Sequence, residues 1–185
     1  MSAAPRIAPL DPPYTPAIAE LLARWMPPGA DVEPLAPFRT MAVHEELTGR
    51  MRPLGAGILG SDVVPARLRE LVILRTSARC GAEYEWGVHV VGFGRPLGFT
   101  EEQLHATVHA GPDAGCWADD EALVLRLTDE LHDGATLSDA TFDALRGRFT
   151  DAQILELAIC AGWYHVIAFV IGTARVPLEP WAARF

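Results

Sequence analysis

The chain has 185 residues, 50% hydrophobic and 21% charged, with a net charge of −9. That length buries about 70% of the unfolded surface without disulfide or metal staples, and the apolar content excludes intrinsic disorder. Every basic side chain other than histidine is Arg, so lysine Schiff-base chemistry is excluded, and an acidic chain without a basic run is a poor partner for nucleic acid or an anionic membrane.

Residues 1–14 are rich in Pro and Ala and read as an extended arm. Thr15 and Pro16 open a helix in which Ile18, Leu21, Leu22 and Trp25 form an apolar stripe, and Pro27, Pro28 and Gly29 stop it. A second helix is expected over 35–51, with Pro37 near its first turn. Residues 55–60 read as a flexible apolar segment. Asp62 and Pro65 announce a third helix that ends at Cys80 and Gly81. A fourth covers 82–95 and is broken by Pro96 and Gly98. Thr100 and Gln103 have capping-box spacing for a fifth, ending near Ala110. After a loop over 111–118, Asp119 or Asp120 caps a sixth helix that ends near Gly134. A short seventh covers 138–148, and Thr150 opens a long eighth. No run alternates with a period of two. The expected fold is all-α, a single domain of about eight helices. An arm and first helix occupy 1–34, and the main helical domain 35–185.

Cys80, Cys116 and Cys160 are an odd, scattered set with no C-x-x-C, which reads as free thiols in a reducing compartment. The start of the chain has no apolar signal core, so a cytoplasmic location is expected. Residues 157–174 contain no Asp, Glu or Arg and reach the lower edge of a membrane span. Tyr164, His165 and Thr173 within the run, and the lack of a basic flank, favour a buried helix instead.

Four motifs bear on chemistry. Gly55, Gly57 and Gly60 spell G-x-G-x-x-G, but no β-α-β pattern surrounds them, so helix packing or a bend is preferred over a nucleotide site. His105 and His109 stand one turn apart and would bind zinc only with a third ligand; solvated histidines are the simpler reading. Glu85 and His89 also stand one turn apart, so carboxylate and imidazole share a helix face. A carboxylate that orients an imidazole makes it a better base and stabilises its protonated form. Glu70, on the preceding helix, reaches the same point if the two helices pack antiparallel. Tyr84 and Trp86 would supply a hydroxyl and an aromatic wall. Trp163, Tyr164 and His165 put polar atoms in an apolar helix, where a Tyr–His core pair is an equal reading.

The run Arg67-Leu68-Arg69-Glu70-Leu71-Val72-Ile73-Leu74-Arg75, followed by Tyr84-Glu85-Trp86, His89 and Gly98-Phe99-Thr100, resembles the carboxymuconolactone decarboxylase / AhpD-like family. Phe38 to Ala42 resembles the helix before that core, and 121–131 and 163–165 resemble its downstream half, so the likeness covers nearly all of 35–180. It implies an all-α fold and a homo-oligomer, as a dimer, trimer or hexamer. The family's peroxidase branch carries a C-x-x-C pair with a preceding glutamate and a following histidine. Glu70 and His89 stand at the glutamate and histidine, but Ala82 and Glu85 stand at the cysteines. Disulfide cycling needs an attacking and a resolving thiol, so the resemblance argues for the fold and against that mechanism.

The decarboxylase branch needs no cofactor, and its chemistry is acid–base work on a small carboxylated lactone. The expectation is therefore a cofactor-free enzyme with no metal, in which His89, Glu85, Glu70 and Tyr84 are catalytic. Trp86, Tyr164, His165 and Arg39 would bind a small-molecule substrate, with Arg69 and Arg75 as further carriers of a carboxylate site. Three other readings stay open: a thiol peroxidase using Cys80, a non-catalytic ligand-binding homologue, and a metal held by Glu70, Glu85 and His89.

Overall fold

The computed structural model describes residues 4–27 and 32–185. Helix α1 (Pro16–Trp25) starts where expected: the Thr15 hydroxyl accepts from the Ile18 N–H at 3.3 Å, and Pro16 needs no partner in the first turn. Of the stop signal, Pro28 and Gly29 lie outside the described residues. The expected second helix is in fact two. Helix α2 (Ala36–Met41) ends in a 3-10 turn at Ala42–His44, and the His44 ring then caps α3 (Glu45–Leu59).

The run 55–60 is not a flexible segment. Helix α3 continues past Pro53 to Leu59 because tertiary packing outweighs the propensities of proline and glycine. Gly55 lies so close to Trp163 that a Cβ there would sit 2.8 Å from the indole. The glycine motif is thus a helix-packing device, and among the described residues no strand precedes it.

Helix α4 (Ala66–Arg79) is the axis of the fold. Leu71, Val72, Ile73, Leu74, Thr76 and Ser77 are fully buried, so the helix is enclosed on all sides. The αL turn at Gly81, φ +64°, reverses the chain into α5 (Glu83–His89), which packs back along α4. The expected fourth helix does not stay α-helical: α5 passes into a π turn at Val90–Gly94, closed by the Arg95 N–H on the Val90 carbonyl at 2.9 Å. Helix α6 (Glu101–His109) has the expected reciprocal capping box between Thr100 and Gln103. Helix α7 (Asp119–Gly134) is capped differently from expectation. Ala118 is the cap position, and its N–H is taken by the Glu121 carboxylate at 3.1 Å, which leaves Asp119 and Asp120 in the first turn. Ser138 and Thr150 cap α8 (Asp139–Arg146) and α9 (Asp151–Ala174) as read from the sequence.

The count is nine α-helices among the described residues, one above expectation, because the 3-10 turn divides residues 35–51. The main core joins α4, α7 and α9 through Val72, Ile73, Val124, Leu127, Leu157 and Ile171. A smaller core under α6 gathers Leu71, Leu74, Trp86, Val90 and Leu104. Helix α9 is long and apolar enough to cross a membrane, but half of its apolar window is buried inside the fold. At its far end the Arg6 N–H donates to the Ala174 carbonyl at 2.7 Å, tying down the N-terminal arm.

The glycine motif yields a paired prediction. A Cβ at Gly57 meets nothing within 4 Å, whereas one at Gly55 meets Trp163. Gly57→Ala is expected to stabilise the protein by about 0.5–1 kcal/mol in urea unfolding, and Gly55→Ala to destabilise it by about 1–3 kcal/mol through overpacking. Equal effects of the two substitutions would refute the packing role.

Candidate active site

The antiparallel return of α5 along α4 brings together two groups nineteen residues apart. His89 Nδ1 lies 2.9 Å from Glu70 Oε1, and both side chains are buried. Glu85, one turn earlier on α5, lies 3.4 Å from His89 Nε2. The imidazole is therefore gripped on both nitrogens. A neutral ring has one N–H and can donate to only one carboxylate; the imidazolium donates to both. Burial alone would pull the His89 imidazole down, but the charge and hydrogen bond of Glu70, reinforced by Glu85, push it up to about 10.

Two aromatic rings hold the imidazole in plane. Phe93, placed by the π turn, stacks on it at 5.0 Å between centroids, and Tyr164 of α9 meets it edge-on at 5.2 Å. Burial, with the Glu85 charge adding to it, holds the Tyr164 hydroxyl well above the pKa of an ordinary phenol. It is a neutral donor.

These groups open onto a cavity of about 570 Å³. Its walls are apolar, from Trp25, Leu35, Phe38, Val88, Trp163 and Ile167. Its polar groups are few: Glu85, His89 and Tyr164 in the buried part, and Arg24 and Arg52 on more exposed helices. Glu70 does not line the cavity; it stands behind the ring. The order from interior to cavity is thus carboxylate, imidazole, carboxylate.

Six of the expected site residues lie elsewhere. The Tyr84 hydroxyl donates to Glu179 at 2.7 Å and anchors the C-terminal tail. The Trp86 indole donates to the Thr107 hydroxyl at 2.9 Å inside the smaller core. With Glu85 facing the cavity, its two sequence neighbours are each turned about 100° away from it. His165 is turned away from Tyr164 for the same reason and lies 2.9 Å from His132. Arg39 ties the arm to α2 through the carbonyls of Leu10 and Pro34, both at 3.0 Å. Arg69 donates to the Ser61 carbonyl and Arg75 to Asp129.

Sequence reasoning missed Arg52. It lines the cavity, donates from Nε to the Arg24 carbonyl at 2.6 Å, and has no carboxylate partner among the described residues. Its signal was its spacing with Ala56 and Leu59 on one face of α3, which becomes visible only once the helix is carried through Pro53.

The positions of the cysteines and histidines bear on the thiol and metal readings. None of the three cysteines lines the cavity, and Cys160 is buried in the main core. Glu70 and Glu85 hold opposite edges of one ring, so they do not converge with an imidazole lone pair on a single ion. His105 and His109 face each other, with ring centroids 4.3 Å apart, and gather no third ligand among the described residues.

The site is thus a buried carboxylate–imidazole–carboxylate chain on the wall of an apolar cavity, within an all-helical fold. Residues 45–129 match the model of the carboxymuconolactone decarboxylase family. The match contains Glu70, Glu85 and His89 and stops short of α9. No curated protein sequence matches the chain. Among solved structures, a debrominase in complex with 2,3,4-tribromopyrrole has a TM-score of 0.79 at 15% identity, covering 98% of this chain and 95% of its own. A protein of unknown function from Agrobacterium tumefaciens, assigned to AhpD antioxidant defence, has a TM-score of 0.69 at 19% identity, covering 75% and 94%. A peroxidase-related protein from a Silicibacter species has a TM-score of 0.75 at 16% identity, covering 94% and 93%. At these identities the likeness is one of fold.

The raised pKa of His89 has a definite sign in stability. An unfolded histidine titrates near 6.5, whereas the folded group titrates at about 10. Its contribution is complete below the unfolded value and is lost as pH rises through the folded one. Urea unfolding of the wild-type protein is expected to weaken between about pH 6.5 and 10, and Glu70→Gln to flatten that slope. A wild-type profile that is flat over this range contradicts the assignment.

Proposed function

We propose that the protein is a cofactor-free acid–base enzyme acting on a small, carboxylated, conjugated or lactone-type metabolite. The observation that carries this reading is the His89 imidazolium held between Glu70 and Glu85, with its Nε2 edge facing an apolar cavity that no thiol lines. The match of residues 45–129 to the carboxymuconolactone decarboxylase family supports this reading at the level of the family. The neighbour that binds a brominated pyrrole supports a small aromatic or conjugated ligand.

In this reading Arg52 takes the substrate carboxylate, and the apolar walls hold the conjugated skeleton against His89. Loss of carbon dioxide leaves its electron pair on the conjugated system. The Nε2 proton, relayed by Glu85, quenches that charge. Glu70 stabilises the imidazolium before transfer and orients the ring afterwards, when solvent restores the proton. Tyr164 donates to a developing oxyanion. The largely apolar walls of the cavity strengthen each of these terms.

A homo-oligomer and a cytoplasmic location belong to the same proposal. Support for the oligomer comes from α9, whose outer face shows Leu155 at 64% exposure, Ile159 at 51%, Val166 at 41% and Phe169 at 65%. Such an apolar stripe on a long helix is unusual for a free surface.

Two experiments test the proposal. Against a panel of carboxylated aromatics and lactones, with turnover followed by mass spectrometry, His89→Ala is expected to lower kcat by about 100-fold or more. Arg52→Ala is expected to act mainly on KM, and Cys80→Ser to leave turnover intact. Unchanged turnover in His89→Ala removes the assignment, and turnover that depends on Cys80, peroxide and a dithiol selects the thiol peroxidase. Binding without conversion selects the non-catalytic reading. In light scattering, wild-type protein is expected to run as an oligomer and Phe169→Glu as a smaller species; a monomeric wild type contradicts the oligomer.

A further inference from the structure

A second cluster of reactive side chains lies away from the cavity, where the three central helices meet. Cys80 caps the C-terminus of α4, His132 lies in the last turn of α7, and His165 is on α9. Cys80 Sγ is 3.9 Å from His132 Nδ1, and that nitrogen is 2.9 Å from His165 Nε2. The three donor atoms all fall within 4.8 Å of one another, on half-buried side chains.

We propose that Cys80, His132 and His165 form a binding site for a borderline-soft divalent metal ion of the zinc type, with the fourth position open to solvent. One thiolate and two imidazoles are the donor set that such an ion prefers. Tetrahedral bonding at ordinary zinc distances would put the two nitrogens about 3.3 Å apart and sulfur about 3.6 Å from each. The Cys80–His132 and His132–His165 spacings differ from these by a few tenths of an ångström, and sulfur and His165 Nε2 lie within 4.8 Å, so side-chain rotation brings the three donors onto one ion.

The tautomers fit. His165 Nδ1 lies 2.8 Å from the Ala161 carbonyl, which only accepts, so Nδ1 carries the proton and Nε2 presents a lone pair. This is the outer contact that holds a ligating imidazole in place. In the metal-free protein His132 Nδ1–H donates to that lone pair. A metal ion takes the place of this proton, which leaves Nδ1 for solvent, and the neutral His132 ring takes up a hydrogen on Nε2 instead, so this tautomer change is neutral in charge. Burial, Arg79 and His165 hold the His132 pKa down, which favours the neutral ligand form. Burial holds the Cys80 thiol up, so binding releases its proton and weakens as pH falls. The nearest cation, Arg79, is offset by Asp129 at 3.4 Å and by Asp133.

Cobalt(II) is the probe. Titration of the reduced, chelator-treated wild-type protein is expected to saturate at one ion per chain. It should show the thiolate-to-cobalt charge-transfer band and the visible bands of a tetrahedral site, and zinc should bleach both. Cys80→Ser is expected to abolish the charge-transfer band, and His165→Ala to weaken binding by at least about 10-fold, the loss typical even of outer partners. Cys116→Ser, His105→Ala and His89→Gln should bind as wild type. Retention of the band in Cys80→Ser, dependence on His105 or His89, or no tetrahedral cobalt spectrum in a folded wild-type protein overturns the proposal. Because His89→Gln is a control here, failure of the enzyme assignment leaves this test intact.

Discussion

The constraint on which this structure rests is that its most buried helix is also charged. Helix α4 is enclosed on every side along its middle, yet it carries Glu70 and Arg75 into the interior and the half-buried Arg67 at its edge. A buried charge without a partner costs several kcal/mol, so each must be answered from a neighbouring helix. Arg75 grips Asp129 of α7 with two bonds, at 2.7 and 2.8 Å, and takes the Thr107 carbonyl of α6 at 2.8 Å. Arg67 reaches Glu121 and Gln103 while lying over the Phe99 ring. Glu70 takes His89 of α5. Three charges thus specify three partners, and apolar packing fills the space between them.

The chemistry of the site follows from the same constraint. Glu70 is a structural answer to burial and an electrostatic setting for His89 at once. A carboxylate kept from water attracts the imidazolium more strongly than one at the surface. Only the outer edge of the ring, where Glu85 stands, faces the cavity, so proton exchange has a single direction. The groups beside it are apolar or, like Tyr164, neutral donors.

Much of this was legible in the sequence where local rules act. The caps at Thr15, Thr100, Ser138 and Thr150 follow from side-chain chemistry a few residues away. The shared face of Glu85 and His89 follows from helical periodicity alone. Glu70 was reached only conditionally, from its place on the preceding helix, because antiparallel packing of α4 and α5 is a tertiary fact that neither helix encodes alone. The misses share a cause: which way a helix faces is decided by its neighbours. Tyr84 and Trp86 flank Glu85 in sequence but not in space, and His165 parts from Tyr164 in the same way. Helix α3 was cut short at Pro53 because its glycines read as breakers, whereas Gly55 is a seat for Trp163; Arg52 was lost with it.

The π turn at Val90–Gly94 makes the site sensitive to chain length as well as to side-chain identity. A π turn holds one more residue than an α turn of the same span. Removing one residue between His89 and Arg95 would restore an α-helix and swing all that follows by about 100°. Phe93 would leave the imidazole face, and Gly94, packed against Leu104, would no longer meet α6. Substitutions in this segment alter a wall of the cavity, whereas a deletion changes the phase of the chain. Among relatives of this protein, conserved spacing from the histidine to the next helix would therefore be a more discriminating mark of the same pocket than any single residue within the turn.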